Sequence, residues 1–216
     1  MSEPLRIDVW SDIACPWCYI GKRHLEHALA SIPDAPVVDL VWHAFELDPS
    51  APVTREAIPN AQRLADKYGV SVERAEAMMD RVIGVGAKAG LELQLRSSKA
   101  GNTFDAHRLL RWAHELGKQG ELKERLMRAY QCEGVVISDR DELVRLAGDV
   151  GLDRDEARRV LDSEQFAAEV RADEQLAHEL GVTGVPFFVF AQKYGVSGAQ
   201  PVDVLREVIA KAIRER

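Results

Sequence analysis

The chain has 216 residues, 46% of them apolar and 29% charged, the balance of a folded protein with a sizeable core rather than of a disordered one. Its 28 Lys and Arg stand against 35 Asp and Glu, a formal net charge of -7 that repels phosphate backbones and anionic lipid and so disfavours nucleic-acid and membrane partners. No apolar run approaches the roughly 18 residues of a membrane span, and Met1-Ser2-Glu3-Pro4 leads toward a strand rather than a basic and then apolar leader, so the cytoplasm is the expected compartment.

Ile7 to Trp10 reads as a short buried strand, β-branched and aromatic, ending at Ser11-Asp12. Cys15-Pro16-Trp17-Cys18 follows at once. From Tyr19 the apolar positions Ile20, Leu25, Ala28 and Leu29 fall at helical spacing, closed by Pro33 and Pro36. A second strand runs from about Val37 to Phe45, with Val38, Leu40 and Trp42 on one face and Asp39 and His43 on the other.

After Asp48-Pro49 the period becomes helical for well over a hundred residues. Ala57 to Tyr68 is amphipathic and stops at Gly69, and Ser71 is placed to cap a helix reaching Ala89 and ending at Gly90. Further helices are expected from near Thr103, Glu121, Asp139, Arg154 and Glu164. Ser138 with Asp141, and Asp153 with Glu156, each put a capping oxygen three residues ahead of an acid. Strand character returns at Val185 to Phe190, turns through Ala191 to Lys193 and resumes over Tyr194 to Ser197. Pro201 then opens a last helix to about Arg214. The order is β-α-β, many helices, then β-β-α.

Three cysteines are too few for a secreted disulfide scaffold, and an odd number cannot all pair within the chain. A Cys-x-x-Cys pair is a redox couple, half of a zinc site or an accident, and its surroundings decide; no second Cys or His pair stands at matched spacing to complete a zinc tetrad, so no metal is expected. Cys15 falls where a strand ends and a helix begins, among unpaired N–H groups at the positive end of the helix dipole, a setting that favours thiolate over thiol. Cys18, one turn later and expected to be the more buried, is near enough to attack a mixed disulfide formed on Cys15. Pro16 gives up an N–H that the helix start does not need, and Trp17 is expected to stay partly exposed as an apolar contact for substrate.

Gly181-Val182-Thr183-Gly184-Val185-Pro186-Phe187 is the second element, because a proline before a buried-looking strand belongs at its start or in a special turn. A cis Val185–Pro186 bond is expected from its combination with the upstream dithiol. Val185 would then face the dithiol and pair with an extended substrate segment, and a trans bond would remove that reading.

Cys-Pro-Trp-Cys after a first strand, a long helical stretch, and Gly-Val-Pro opening the penultimate strand resemble the DsbA family, in particular its cytoplasmic FrnE-like branch. Residues 12–21, Phe45-Glu46-Leu47-Asp48-Pro49, Gly181 to Phe188 and Ser197-Gly198-Ala199-Gln200 carry the likeness, which covers nearly the whole chain. The resemblance implies an α/β chain with a thioredoxin fold, residues 1–50 and 182–216, and a large all-helical domain, residues 51–181, inserted between its βαβ and ββα halves. It implies thiol-disulfide exchange with protein or low-molecular-weight thiols and disulfides, with Cys15 as nucleophile, Cys18 as resolving thiol and Pro186 as the cis-proline. No resident cofactor is implied, glutathione enters only as a co-substrate, and monomer and homodimer are both compatible.

The 2-hydroxychromene-2-carboxylate isomerases and kappa-class glutathione transferases share this organisation and bind glutathione, but typically carry serine where this chain has Cys15. A glutathione-dependent isomerase or transferase is therefore the alternative. Asn102-Thr103 followed by His107 resembles the start of the helix facing the active site in both groups, which places Thr103 and His107 near substrate. Among the other candidates, Cys132 reads as a packed thiol, and His24, His27, His114 and His178 as solvated surface residues. His43 is expected near the edge of the fold. Asp8 and Asp12 flank the first strand as solvated carboxylates, one of which could tune a cysteine or accept a proton.

Overall fold

A computed structural model describes residues 3–33, 36–53 and 58–215. The chain opens with β1 (Leu5–Ser11), α1 (Pro16–Ala30) and β2 (Val38–Ala44). Seven helices follow: α2 (Asn60–Tyr68), α3 (Val72–Lys88), α4 (Phe104–Glu115), α5 (Gln119–Cys132), α6 (Arg140–Asp149), α7 (Arg154–Leu161) and α8 (Ala167–Glu179). It closes with β3 (Phe187–Phe190), β4 (Tyr194–Ser197) and α9 (Val202–Arg214).

The strands form one mixed sheet in the order β2-β1-β3-β4. β1 runs parallel to β2 from Leu5 opposite Val38 to Ser11 opposite Ala44, as a strand-helix-strand unit allows. β1 is antiparallel to β3, with Trp10 opposite Phe187, and β3 is antiparallel to β4 across a tight turn in which Ala191 and Gln192 take positive φ. This is the thioredoxin-like arrangement expected from the sequence, with the helical stretch between β2 and β3.

The apolar pattern sorts into cores. Leu5, Ile7 and Val9 of β1, Phe188 and Phe190 of β3 and Ile209 of α9 are fully buried together on one face of the sheet. A second core lies among the helices, where Leu109, Leu122, Leu126, Leu143 and Leu146 close around Ile13 from the loop after β1. A third joins the two: Cys15, Cys18, Tyr19 and Ile20 pack against Met79, Leu91 and Met127. The start of α1 is thus clamped between sheet and helices.

Several boundaries differ from the sequence reading. Ser71 caps α3 through the Arg74 N–H and Asp153 caps α7 through the Glu156 N–H, as expected. The cap of α6 is Asp139, which accepts from the Asp141 and Glu142 N–H groups, while the Ser138 hydroxyl is buried without a hydrogen-bond partner among the described residues. The sequence rule found the right turn and the wrong oxygen, because a carboxylate one residue on reaches the same amides. α8 starts at Ala167 rather than near Glu164, since Phe166 sits at φ 62 and breaks the helical run. α2 begins at Asn60, and Ala57 lies outside the described residues.

Candidate active site

Cys15 is the N-cap of α1, with extended backbone at φ -85 and ψ 112, and Pro16 occupies the first turn. The Cys15 carbonyl accepts from the Cys18 N–H at 3.1 Å, which folds the four-residue motif into a turn and puts both sulfurs on one side. Cys15 is 4% exposed and Cys18 fully buried, and both are free thiols. Trp17 projects outward at 37% exposure.

The Val185–Pro186 bond is cis, and the Val185 carbonyl accepts from Cys15 Sγ at 3.5 Å. Residues 170 apart in sequence therefore meet at the reactive end of α1. Burial pushes the Cys18 thiol well up, as does the neighbouring Cys15 sulfur, while Lys123 and the Asp12 N–H oppose the shift.

An open cleft of about 380 Å³ borders Cys15, Pro16, Trp17 and Val185 and is walled by apolar side chains including Met79 and Val82. A second cavity of about 480 Å³ shares Ala14, Leu47, Asn60, Leu64, Lys67 and Tyr130 with it and adds the polar groups Asp12, Arg63 and Thr103. The two form one groove with an apolar arm beside the dithiol and a polar arm beyond it. Of the residues singled out in the sequence, Thr103 lies on the polar arm. His107 is buried one layer behind it, its Nε2 3.4 Å from Asp12 Oδ1 and too poorly aligned for a hydrogen bond.

Asp12 is not the solvated strand-end carboxylate expected. It is buried, with Oδ2 accepting from the Leu47 N–H at 2.9 Å and Oδ1 from the Ala14 N–H at 3.3 Å. Burial alone would raise its pKa, but His107, the Leu47 N–H and the Thr103 side chain together hold it below the ordinary carboxylate range. Asp8 is also buried, in a chain with His43 and Asp173: His43 Nε2 is 2.9 Å from Asp8 and Nδ1 2.7 Å from Asp173, and Trp10 stacks on the imidazole at 4.5 Å. His43 does lie on the outer strand β2, yet α8 covers it. His24 packs its Nδ1 2.8 Å from the Gln200 carbonyl instead of facing solvent, whereas His27, His114 and His178 are exposed as expected.

Sequence reasoning missed three groups. Lys123 of α5 is fully buried, with Nζ 3.5 Å from the Ser11 carbonyl and 5.5 Å from the centre of the Trp42 ring. Arg63 and Lys67 stand one turn apart on α2 and bring positive charge to the groove. Glu46, its side chain fully buried, meets Arg171 at 2.6 Å and is pushed up to about 7 by burial, with Glu174 adding to the shift. Helical spacing signalled the Arg63–Lys67 pair; nothing local signalled Lys123 or Glu46, whose neighbours come from distant segments.

Comparison with known proteins agrees with this geometry. The DSBA-like thioredoxin domain matches residues 6–210. The chain superposes on a probable DsbA oxidoreductase from Streptomyces coelicolor with a TM-score of 0.92 and 44% identity, covering 98% of this chain and 91% of that one. It is 26% identical to the Bacillus subtilis (strain 168) protein YwbO over 95% of this chain and 96% of that one. It shares the fold of the cytosolic disulfide reductase DsbM from Pseudomonas aeruginosa, solved with GSH, at a TM-score of 0.66 and 19% identity over 97% of this chain and 99% of that one. From the dithiol at the head of α1, the prolyl loop opposite it and these matches together, the chain belongs to the DSBA-like thioredoxin domain family, that of the DsbA-like thiol-disulfide oxidoreductases.

Proposed function

We propose that the chain exchanges disulfides with protein or low-molecular-weight thiols by a two-cysteine route. The reading rests on one observation: a nearly covered sulfur at the head of α1, Cys15, faces the Val185 carbonyl while a second thiol, Cys18, waits fully buried one turn behind it. Cys15 attacks a substrate disulfide and releases one thiol; Cys18 then attacks the Cys15 sulfur and releases the other, leaving a Cys15–Cys18 disulfide. Run backward, the same steps oxidise a dithiol. Pro16 and Trp17 border the entry, the backbone at Val185 and Pro186 receives an extended segment as an added strand, and Thr103, with His107 behind it, shapes the far wall. The work is assigned to the cytoplasm, the compartment named for the disulfide reductase of this fold.

The polar arm favours a carboxylate-bearing co-substrate. Arg63 and Lys67 make no hydrogen bond or ion pair among the described residues, which leaves their charge for a ligand such as glutathione whose sulfur reaches Cys15. In this role glutathione is a substrate, and the protein needs no resident cofactor.

The test is a pair of variants assayed on a peptide disulfide. Cys15→Ser should abolish turnover, and Cys18→Ser should accumulate the mixed disulfide on Cys15, seen by intact-mass spectrometry. Full activity of Cys15→Ser on that substrate would end the proposal.

A further inference from the structure

We propose that Lys123, contributed by the helices between β2 and β3, is the group that exchanges the proton of Cys18 when the mixed disulfide is resolved. The inference rests on the two-cysteine reading above.

The geometry begins with a charge that is poorly accommodated. An ammonium has three donors and no acceptor, yet Lys123 Nζ, at 0% exposure, makes a single long hydrogen bond among the described residues, 3.5 Å to the Ser11 carbonyl, and lies 5.5 Å from the Trp42 ring centre. Ser11, whose carbonyl takes that bond, also has its Oγ buried without a hydrogen-bond partner among the described residues. Burying a cation on such terms is costly unless it has a use or a partner that changes charge. That partner is Cys18. The Ser11–Asp12 peptide gives its carbonyl to Lys123 and turns its N–H side toward the Cys18 sulfur, so lysine and thiol flank one peptide.

The other bases are engaged. Cys18 is fully buried, so its proton passes into protein or a trapped water rather than bulk solvent. Asp12 already accepts from the Leu47 and Ala14 amides, and His107 turns its Nε2 toward Asp12. The charged and titratable groups facing Lys123 are Asp12 after β1, Cys15, Cys18 and Lys22 of α1, and His107 of α4. Burial brings the Lys123 ammonium down to about 8, with Lys22 assisting and Cys18, Asp12 and Cys15 opposing. Neutral lysine is thus within reach near physiological pH.

In the resolving step the Cys18 S–H proton moves to the neutral Lys123 amine, directly or through one water. The Cys18 thiolate attacks Cys15 Sγ; the Cys15–substrate S–S bond breaks and the substrate thiolate leaves with the electron pair. The enzyme dithiol loses two electrons and the substrate disulfide gains them. In reverse, the Lys123 ammonium protonates Cys18 as it leaves Cys15.

The experiment follows formation and decay of the mixed disulfide after rapid mixing of the reduced protein with a peptide disulfide, quenched in acid and read by mass, from pH 6 to 9.5. In the unaltered chain the decay rate should rise through a midpoint near 8. Lys123→Met and Lys123→Arg should both slow decay at pH 7 by about tenfold or more and shift its midpoint to higher pH, with formation of the mixed disulfide changed by less than about twofold. Arginine is the decisive variant because it keeps the charge but does not give up its proton. If Lys123→Arg decays with the unaltered profile, or if the unaltered chain shows no dependence between pH 7 and 9, the proposal is wrong. Should Lys123→Met fail to fold, the arginine variant and the unaltered profile still decide. A failure here with mixed disulfide still forming on Cys15 leaves the two-cysteine route standing, whereas absence of that species removes both.

Discussion

Gly21 of α1 lies so close to the prolyl loop that a Cβ built on it would stand 2.9 Å from Pro186 Cγ and 3.2 Å from Phe188 Cζ. The missing side chain lets the helix that carries the dithiol pack directly under the loop that faces it. Two effects oppose each other in Gly21→Ala: alanine gains about 1 kcal/mol of helix propensity, and the overpacking costs about 1–3 kcal/mol. Since the contacts are a rigid ring and a buried aromatic, the cost should win. The variant should unfold at lower denaturant and lose more than about half its disulfide-reducing rate, while an added methyl at the open Gly120 should do neither.

Arg63→Ala and Lys67→Ala test the polar arm of the groove. Each should raise KM for glutathione disulfide several-fold, as expected for loss of a charge-assisted contact of about 1 kcal/mol, and leave KM for an uncharged peptide disulfide unchanged. Steady-state kinetics on the two substrates separates this from a general loss of activity.

Glu46 introduces a pH slope of its own sign. Its carboxyl is raised in the folded chain to about 7, so the native state holds a proton that the unfolded chain releases near the ordinary Glu value. That contribution is fully present in acid and is lost as pH rises from about 4.5 through 7. Arg171 remains half exposed and screens the site. Glu46→Gln should therefore show a flatter stability curve between pH 5 and 8 in urea titrations, with its advantage over the unaltered chain growing toward pH 8.

The His43 chain acts likewise through a cation. Burial lowers its basicity, but Asp173 and Asp8 together raise it, so the added stability is present below the ordinary histidine range and is lost as pH climbs through the raised value. Because Asp173 belongs to α8, amide exchange in α8 should quicken over that range. His43→Phe should remove the pH dependence of the exchange.

At the start of α6, Asp139→Ala should cost about 1 kcal/mol, the usual loss of a capping oxygen. Ser138→Ala should cost almost nothing, since its hydroxyl has no partner to lose among the described residues.

What the sequence disclosed and what it withheld divides along physical lines. The order of elements along the chain, the helical stretch and the dithiol at a helix head were legible because each is written in local signals of period and caps, while the cis bond at Pro186 was legible only in combination with the dithiol far upstream. Solvent exposure was misread at Asp8, Asp12 and His24, because their covering partners arrive from elsewhere: His43 beside Asp8, Leu47 over Asp12, Gln200 over His24. Lys123 reads as one more charge on an amphipathic helix until the sheet is laid against α5. Phe166 at positive φ had no signal at all, since a bulky aromatic is a poor candidate for that conformation.

If Cys15 is the attacking sulfur, its near-complete covering would sort partners by shape before any bond is exchanged. A sulfur–sulfur bond sunk inside a folded partner stays out of reach, however oxidising that partner is. Under the proposed exchange, only an edge-on approach past Trp17 would bring a disulfide to this sulfur, so small thiols and loosely held chain segments should react faster than bonds packed within a folded partner.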